Sequence, residues 1–409
     1  MCSPSDHALP EETTCAIVGG GPAGMLLGLL LARQRVDVTV LESHADFERD
    51  FRGDTLHASA MEIMSQLGLA DEVLKRCRAR IPEFELHSQG EVVRLASLNE
   101  LRTEFPFIAM VPQVDFLNLL AAEAGKYECF HLFMNTRVTG LIREDGGTRG
   151  VLCKTSEGEM ELRAKLTVGA DGRGSRVRKA AGIELKQKAA PMDVLWFRLP
   201  RTDADHLGTG FYVSCGHLLV VLDRGDYWQI AYTLMKGNLK EMRDAGVEAL
   251  REELKSVLPA TIHPTIEQLK EWSQVSSLSV ASGRVEKWFE EGLLLIGDAA
   301  HVMTPVGGVG INYAIQDAVA ASNFLAPSLK AGKVSIDDLA KVQKRREWPT
   351  RFIQRLQTFI QDQIVSNALR GDSPFRLNLP TRLFLRIPWL RKLPAFLISY
   401  GIRRELLRD

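Results

Sequence analysis

The chain has 409 residues, above the size at which one hydrophobic core stops growing, so we expect two interlocked domains. Basic and acidic side chains number 51 each, and this balance gives no electrostatic reason to expect a nucleic-acid partner. The six cysteines form no CxxC pair, and none has metal-ligand spacing to a histidine, so free thiols and no metal site are expected. The polar N-terminus lacks a signal-peptide stretch and no apolar run could span a bilayer, so we expect a cytoplasmic protein.

The first half of the chain begins, after a disordered lead-in over residues 1–13, with a strand–turn–helix–strand unit. The apolar run at 15–18 is typical of a buried parallel strand, and a second strand covers 36–41. Such a βαβ beginning indicates an α/β domain. The elements predicted next are a helix over 59–79, short strands within 82–112, a helix over 115–126 and alternating strands over 137–168.

After residue 183 the chain becomes rich in β-forming runs, which predict an antiparallel sheet with a helix over 244–257 packed on it. Buried-strand character returns at 292–297, a long helix starts near Gly310, and two further helices are predicted near 336–369. The strands of the predicted sheet are 194–199, 211–214, 218–222 and 228–234. Nucleotide-type elements therefore lie at both ends of the chain, with a sheet domain inserted between them.

A glycine-rich turn follows the first strand and fits the pattern GxGxxG. Gly19 permits the tight turn, Gly21 lets the backbone approach a pyrophosphate, and Gly24 lets the helix pack close to the sheet. The second strand ends at Glu42, whose carboxylate can accept hydrogen bonds from both ribose hydroxyls and repels a 2′-phosphate. This context favours a bound dinucleotide over a ligand-free loop, and it leaves FAD and NAD as alternatives.

Two later segments each place a polar turn after a buried strand. One, over 166–178, contains Asp171-Gly172, and the other, over 292–317, reads GLLLIGDAAHVMTPVGGVGINYAIQD. The order GxGxxG, then DG, then GDAAH…P…G…N…D resembles the class A flavoprotein monooxygenases, the para-hydroxybenzoate hydroxylase fold. The resemblance covers about residues 14–370, and the late motif is its most specific part.

The resemblance implies FAD as the cofactor. Asp298 would bind the ribityl chain, and the helix that opens at Gly310 would face the N1–C2=O edge of the isoalloxazine, where reduction places negative charge that a helix N-terminus favours. The cofactor-binding residues that it implies are Gly19, Gly21, Ala23, Gly24, Glu42, Arg52, Gln113, Asp171, Asp298, Gly310, Ile311 and Asn312. One departure is Gly308, where many members of the family carry a longer side chain, and this leaves the substrate class open.

The predicted architecture is an α/β fold, with a Rossmann-like FAD-binding domain, an inserted antiparallel-sheet substrate domain and C-terminal helices. The FAD-binding domain is predicted to comprise residues 14–81, 113–182 and 285–370. The substrate domain takes strands from 82–112 and the segment 183–284. A basic amphipathic tail covers 371–409.

The family's usual reaction has two halves. NAD(P)H, which would bind transiently because only one GxGxxG unit is present, reduces the flavin. O₂ then adds at flavin C4a, and the hydroperoxide hydroxylates or epoxidises an aromatic or other electron-rich hydrophobic molecule. Alternatives on the same fold are a double-bond reductase similar to geranylgeranyl reductases, and a flavin halogenase, whose WxWxIP signature is absent. A non-enzymatic flavin-binding sensor is an alternative of another class.

Candidates for direct roles in the reaction come from three places. Asp54 and His57 match a loop near the flavin in the family, and Asp54 is a candidate base on a phenolic substrate. Pro305 resembles the family's proline beside the flavin. Tyr212 and Trp228, on the predicted sheet, are candidates for lining the substrate pocket.

The C-terminal segment 380–409 is basic, with seven arginine and lysine side chains against Glu405 and Asp409, a balance of +7 − 2 = +5. Pro388 and Pro394 are predicted to cut it into short pieces. A helical cap packed on the FAD-binding domain is the favoured interpretation. The alternative is a peripheral membrane contact through which a hydrophobic substrate enters.

Overall fold

The computed structural model describes residues 8–48, 54–88, 90–202, 205, 207–214, 216–362 and 388–408, without the side chains of 388–391. The strands are β1 Glu12–Val18, β2 Val38–Leu41, β3 Thr55–Leu56, β4 Ala79–Ile81, β5 Glu83–Ser88, β6 Glu91–Ser97, β7 Ile108–Met110, β8 Phe130–Phe133, β9 Arg137–Glu144, β10 Gly147–Thr155, β11 Gly158–Gly169, β12 Leu185–Pro200, β13 Gly210–Ser214, β14 His217–Asp223, β15 Tyr227–Met235, β16 Ser276–Val285, β17 Phe289–Glu290, β18 Leu293–Leu295 and β19 His301–Val302. The helices are α1 Pro22–Arg33, α2 Ala58–Gln66, α3 Ala70–Lys75, α4 Gln113–Ala124, α5 Arg176–Ala180, α6 Leu239–Ala245, α7 Val247–Val257, α8 His263–Ile266, α9 Gly310–Lys330, α10 Ile336–Ile360 and α11 Pro388–Tyr400.

The first sheet supplies the edge on which the candidate site is built. Strands β8, β2, β1, β11 and β18 lie side by side in that order, and each neighbouring pair is parallel. β10 and β9 extend the sheet from β11 by antiparallel pairing. The middle strands are buried along most of their length, as expected where helices cover both faces of a parallel sheet. Because these strands run in one direction, the residues that follow them collect at one edge.

The second sheet has eight strands in the order β19–β16–β12–β15–β14–β13–β5–β6. All neighbours are antiparallel except β13 and β5, which pair in parallel and attach β5 and β6 to the strands that come later in the chain. The sheet therefore joins two distant stretches of sequence. Strand β19, at the opposite end, belongs to the loop that precedes α9.

Both faces of the second sheet are apolar, because side chains along each strand alternate between two buried clusters. The helix-covered face packs on α7 and α8, where it meets Leu250 and Leu254 of α7, and includes Leu195, Phe197, Leu199, Tyr212, Leu219, Trp228, Ile230 and Tyr232. The inner face consists of Leu86, Ala190, Met192, Val194, Val213, Leu218, Ala231 and Val280, with Trp196, Phe211, Val220, Leu278 and Val306 packed against it. Since Val306 lies just before α9, the inner face is directed towards the domain that is built on the first sheet, here named the first domain.

The predicted α/β architecture, a Rossmann-like domain with an inserted antiparallel-sheet domain and C-terminal helices, is confirmed. Its beginning differs from the predicted lead-in over 1–13, because β1 starts at Glu12 and Leu9 is already buried in the core. The predicted helix over 59–79 divides at Gly68, which has a φ of 73°. The predicted helix over 244–257 divides in the same way at Gly246, which has a φ of 92°.

The C-terminal helices also differ in detail from the prediction. One helix of 25 residues, α10, replaces the two predicted near 336–369, as far as the described residues extend. Pro394 does not end a helix but lies inside α11. Tyr400 at the end of α11 is buried and donates a hydrogen bond to Glu62 at 2.7 Å. The described part of the tail thus packs both on β6 of the second sheet and on α2. None of the described helices is long and apolar enough to cross a bilayer.

Candidate active site

Residues from separate stretches of sequence meet at the carboxyl edge of the first sheet. Gly19, Glu42, Asp171 and Asp298 follow β1, β2, β11 and β18 respectively. The backbone N–H of Gly20 donates to Oε2 of Glu42 at 2.9 Å, which joins the first two of these stretches. The motifs found in the sequence therefore form one continuous surface.

The glycine turn has the steric requirements of a dinucleotide-binding turn. A Cβ atom on Gly24 would lie 1.9 Å from the carbonyl oxygen of Gly19, and one on Gly19 would lie 2.5 Å from the carbonyl oxygen of Ala170. Gly21, by contrast, has open space beside it and caps α1 without a side-chain hydrogen bond. The first N–H groups of α1 are therefore left to bind a pyrophosphate.

Asp171 holds together the polar turn between β11 and α5, here named the second turn. Its carboxylate accepts hydrogen bonds from the backbone N–H groups of Arg176 and Val177, at 2.6 and 3.1 Å, and so caps α5. Arg178 is buried and donates to the carbonyl oxygens of Ala299 and Arg173, at 2.9 and 2.8 Å. This arginine ties the second turn to residues 297–309, here named the late loop.

Asp298 stands at the start of the late loop and is partly exposed. Its Oδ2 accepts a hydrogen bond from Nε of Arg173 at 3.1 Å. The preceding Gly297 has a φ of 59°, and a Cβ atom there would lie 3.3 Å from the Cβ atom of Ala23 in α1. The late loop and the glycine turn thus lie against each other, with Ala23 at their contact.

The start of α9 is held to the loop at 54–57 by Asn312. Its Nδ2 donates to the carbonyl oxygen of Thr55 at 2.9 Å, and its Oδ1 accepts from the backbone N–H of His57 at 2.8 Å. Gly308 has a φ of 61°, and a Cβ atom there would lie 2.6 Å from Oγ1 of Thr55. This contact and the positive φ explain why the chain has glycine at position 308. Gly310 has open space beside it at the uncapped helix N-terminus.

These features fit FAD, and comparison with known proteins decides the assignment. Residues 12–355 match a family model described as an FAD binding domain. The chain is 32% identical over 368 residues to the 6-methylpretetramide 4-monooxygenase of Streptomyces rimosus. The matched stretch covers 89% of this chain and 87% of that protein. The chain belongs to the class A FAD-dependent monooxygenase family. The predictions of an enzyme, of a monooxygenase and of FAD as its cofactor are confirmed.

Two further comparisons describe the breadth of this likeness. The crystal structure of the p-nitrophenol 4-monooxygenase PnpA from Pseudomonas putida DLL-E4 superimposes on the monooxygenase with a TM-score of 0.80. It is 20% identical and covers 96% of this chain and 100% of that one, which shows the shared fold. A digeranylgeranylglycerophospholipid reductase from Methanocella arvoryzae is 28% identical over 344 residues, 81% of this chain and 82% of that protein.

Behind the late loop, the monooxygenase contains a buried group of charges. Asp317 is fully buried and accepts hydrogen bonds from the backbone N–H of Gly297 at 3.0 Å, from Nε2 of His301 at 2.6 Å and from Nε of Arg346 at 2.9 Å. Burial acts to raise the pKa of Asp317, but His301 and Arg346 outweigh it, and the net pKa is lowered. Glu405, from the tail, lies 3.5 Å from Nη1 of Arg346.

Arg346, and Gln354 and Gln357 of the same helix, were not predicted from the sequence as supports of the late loop. Gln354 donates to the carbonyl oxygens of Gly283 and Val302 at 2.9 and 3.0 Å, and Gln357 donates to those of Thr304 and Val306 at 2.9 and 2.7 Å. A signal was present, because these polar residues occupy the stripe of α10 that otherwise carries buried apolar residues. The buried members of that stripe include Leu339, Val342, Arg346, Pro349, Ile353, Gln354 and Gln357.

The structure gives each candidate catalytic side chain a local partner. The two carboxylate oxygens of Asp54 contact the backbone N–H of Gln113, the first residue of α4, at 3.2 Å and Nη2 of Arg224 at 3.1 Å. Burial raises the pKa of Asp54. His57 is fully buried, and its Nδ1 donates to the carbonyl oxygen of Ile398 at 2.7 Å. Burial lowers the pKa of His57 to about 4, so the ring is neutral at pH 7.

Three of the predicted residues remain to be located: Pro305, Ile311 and Arg52. Pro305 is half-buried and precedes the short turn Val306–Gly308, beside the start of α9. Ile311 is buried in the first turn of α9. Arg52 lies outside the described residues.

Tyr212 and Trp228 are not brought to this site. Both belong to the helix-covered face, where Nε1 of Trp228 donates to Asp205 at 2.8 Å and the ring of Tyr212 stacks on His87. The inner face instead presents Trp196, whose Nε1 is buried and has no hydrogen-bond acceptor among the described residues. Strict alternation along β12 places Trp196 with Val194 and opposite Leu195 and Phe197.

Proposed function

We propose that this monooxygenase uses NAD(P)H and O₂ to hydroxylate an aromatic small molecule held between the inner face and the late loop. The observation that carries the proposal is the contact of Val306, from the late loop, with the apolar inner face. The substrate domain in this proposal comprises strands from 82–112 and the segment 183–284. A substrate on the inner face would lie next to the N-terminus of α9.

The residues that hold FAD in this proposal are those at the carboxyl edge. The N-terminus of α1 would bind the pyrophosphate, Glu42 the adenosine ribose and Asp298 the ribityl chain. Bound FAD supplies the electrons with which O₂ is activated. Gly310 and the uncapped N–H groups that follow it would stabilise negative charge on the reduced ring.

The inner face supplies the environment that oxygen transfer requires. Its apolar side chains exclude water, which protects reactive oxygen from being lost without product. One donor, Nε1 of Trp196, is buried among them without a partner in the described structure. Because a buried unpaired donor is costly, this indole would donate a hydrogen bond to a carbonyl or hydroxyl oxygen of the substrate.

Asp54 acts as a positioning residue in this proposal. Its ion pair with Arg224 links the loop at 54–57 to the second sheet, and Arg224 in turn donates to Oε1 of Gln229 at 2.6 Å. With both carboxylate oxygens engaged, Asp54 fixes the distance between the start of α9 and the inner face.

The names of the relatives support an aromatic substrate. The Streptomyces rimosus protein is named for action on 6-methylpretetramide, and the Pseudomonas putida enzyme is named for action on p-nitrophenol. The likeness to a digeranylgeranylglycerophospholipid reductase makes double-bond reduction the alternative that an experiment must separate.

The test measures O₂ uptake and NAD(P)H oxidation with a panel of phenolic and polycyclic aromatic compounds, with and without bromide. A substrate that stimulates O₂ uptake and yields a product heavier by one oxygen atom supports the proposal. Turnover without O₂, or a product that contains bromine, contradicts it.

Two tryptophan variants then test the location of the substrate. Trp196→Phe is expected to raise the KM for the substrate about tenfold, the effect of one lost buried hydrogen bond. Trp228→Phe, on the helix-covered face, is the matched control and is expected to leave this KM unchanged. Equal effects of the two changes would contradict the assignment of the inner face.

A further inference from the structure

Three arginines lie together where α10 packs against the second sheet. Nη1 of Arg284, on β16, donates to Oε1 of Gln354 at 3.1 Å. On α10, Arg351 lies three residues before Gln354 and Arg355 lies one residue after it. The helical repeat therefore directs the side chains of Arg351, Gln354 and Arg355 to the same side of the helix. Arg284 therefore reaches the helix surface between two other arginines.

The neighbouring strand adds more positive charge. Lys186 lies directly opposite Arg284 in the pairing of β12 with β16, and Lys188 lies opposite Ser282, two residues along the same face. The carboxylates here are Glu286, which pairs with Lys186 at 2.5 Å, Glu347, which lies 3.5 Å from Nη1 of Arg351, and Glu184, whose charge acts on Lys186. Five basic side chains thus face three carboxylates, a local balance of +5 − 3 = +2.

The arginines remain available to a ligand. The side chain of Arg351 is 47% exposed. Arg355 is exposed and has no ion-pair partner in the part of the chain that the structure describes. Burial, Arg351 and Arg355 together lower the pKa of Arg284, which shows that the like charges affect one another. An anion placed among them would relieve this repulsion.

The cluster is connected to the late loop. Gln354, which holds Arg284, also binds the carbonyl oxygens of Gly283 and Val302. Val302 itself is buried, and the accessible part of the late loop is the half-buried Pro305 and Val306 and the exposed Gly307, which lead to the start of α9, where the flavin ring is expected. A long anionic ligand anchored at the arginines would therefore extend over residues 305–307 towards the ring.

We propose that Arg284, Arg351 and Arg355 bind the 2′-phosphate of NADPH and make NADPH the preferred electron donor. This inference rests on the proposed function, since it assigns the binding site of the reductant. Guanidinium groups bind phosphate oxygens in pairs and retain their charge at neutral pH. The cluster is separate from the FAD-binding edge, where Glu42 disfavours a 2′-phosphate.

The direct test is calorimetric titration of the oxidised FAD-loaded enzyme with 2′,5′-ADP and with ADP. The wild type is expected to bind 2′,5′-ADP at least tenfold more tightly than ADP, and the double variant Arg351→Ala/Arg355→Ala is expected to remove that preference. Arg355→Lys is expected to retain part of it, because lysine keeps the charge and loses the paired geometry. Equal binding of the two probes by the wild type would overturn the proposal.

Arg243→Ala serves as the matched control, because this exposed arginine lies on α6, beside the helix-covered face. It is expected to leave both affinities and the FAD content unchanged. An equal loss of 2′,5′-ADP affinity in Arg243→Ala and in the double variant would mean that general charge accounts for binding, and would overturn the proposal.

Two readouts separate this inference from its alternatives. Binding of 2′,5′-ADP needs no turnover, so it stands or fails independently of whether the enzyme hydroxylates an aromatic compound. Co-sedimentation with vesicles of phosphatidylglycerol tests a lipid headgroup as the source of the phosphate. Vesicle binding that the double variant abolishes, without a change in 2′,5′-ADP affinity, would overturn the nucleotide assignment.

Discussion

The glycine turn at 19–24 and the late loop at 297–309 build the same edge of the molecule by different means. In the glycine turn the constraint is steric, because a Cβ atom on Gly24 would lie 1.9 Å from the carbonyl oxygen of Gly19. In the late loop the constraint is electrostatic, because Asp317 binds Gly297, His301 and Arg346 from beneath. The constraint on Gly24 is local in sequence, whereas the constraint on the late loop joins α9, α10 and the tail.

This difference predicts that substitutions in the two regions destabilise the protein in different ways. A change in the glycine turn alters the contact between one strand and one helix, so its effect on stability stays local. A change beneath the late loop leaves buried charges without partners and affects every element that meets there. The variants below are ordered by the expected loss of unfolding free energy.

Arg346→Ala is expected to have the largest effect, a loss of about 3–5 kcal/mol, because it removes the buried guanidinium that pairs with the fully buried carboxylate of Asp317. Urea unfolding of the FAD-free protein measures it. Arg345→Ala is the control, since Arg345 contacts Glu405 from a more exposed position and is expected to cost much less. Equal losses in the two variants would show that the buried group does not support the late loop.

Acidification is expected to destabilise the protein through His57. The unfolded ring takes up a proton near pH 6.5, whereas the folded ring does so only near its pKa of about 4. The unfolded state therefore binds more protons in this interval, and stability falls by on the order of 3 kcal/mol as the pH drops from 6.5 to 4.

Urea unfolding at pH 7 and pH 5 follows this loss. His57→Gln is expected to flatten the pH dependence, and His131→Gln, which changes a partly exposed ring, is expected to preserve it. An unaltered slope in His57→Gln would contradict the assignment to His57.

Gly24→Ala is expected to cost about 1–3 kcal/mol and to lower FAD occupancy, since the added methyl group overlaps the backbone of Gly19. Gly21→Ala is the informative partner. Its Cβ atom enters open space, so the FAD-free protein is expected to keep its stability while FAD affinity falls, because the methyl group would occupy the space in which we propose that the pyrophosphate binds. Thermal unfolding and FAD titration of both variants distinguish these outcomes.

Asp298→Ala is expected to have the smallest effect on stability, less than about 1 kcal/mol, because its ion pair with Arg173 is partly exposed. FAD affinity is expected to fall roughly ten- to hundredfold with the loss of a charge-assisted hydrogen bond to the ribityl chain. Unchanged FAD affinity would contradict the placement of Asp298 against the cofactor.

The same contrast explains what the sequence could and could not predict. The glycine turn was predictable because its requirement lies within six residues, and the order of the three motifs indicated the α/β fold and FAD. The partners of the late loop were not predictable, since no local sequence pattern indicates that Arg346 lies opposite Asp317. Tyr212 and Trp228 were assigned to the pocket although they lie under α7 and α8. Both faces of the sheet are apolar, and alternation separates the faces without telling which one meets the cofactor.

We propose that FAD bound at this edge directs one oxygen atom from O₂ into an aromatic substrate at the inner face. Turnover under ¹⁸O₂ in ordinary water, followed by mass spectrometry of the product, tests this reaction. The product is expected to carry one ¹⁸O atom, and turnover in H₂¹⁸O under ordinary O₂ is expected to leave the added oxygen unlabelled. Label drawn from water, or a product reduced without any added oxygen, would contradict it.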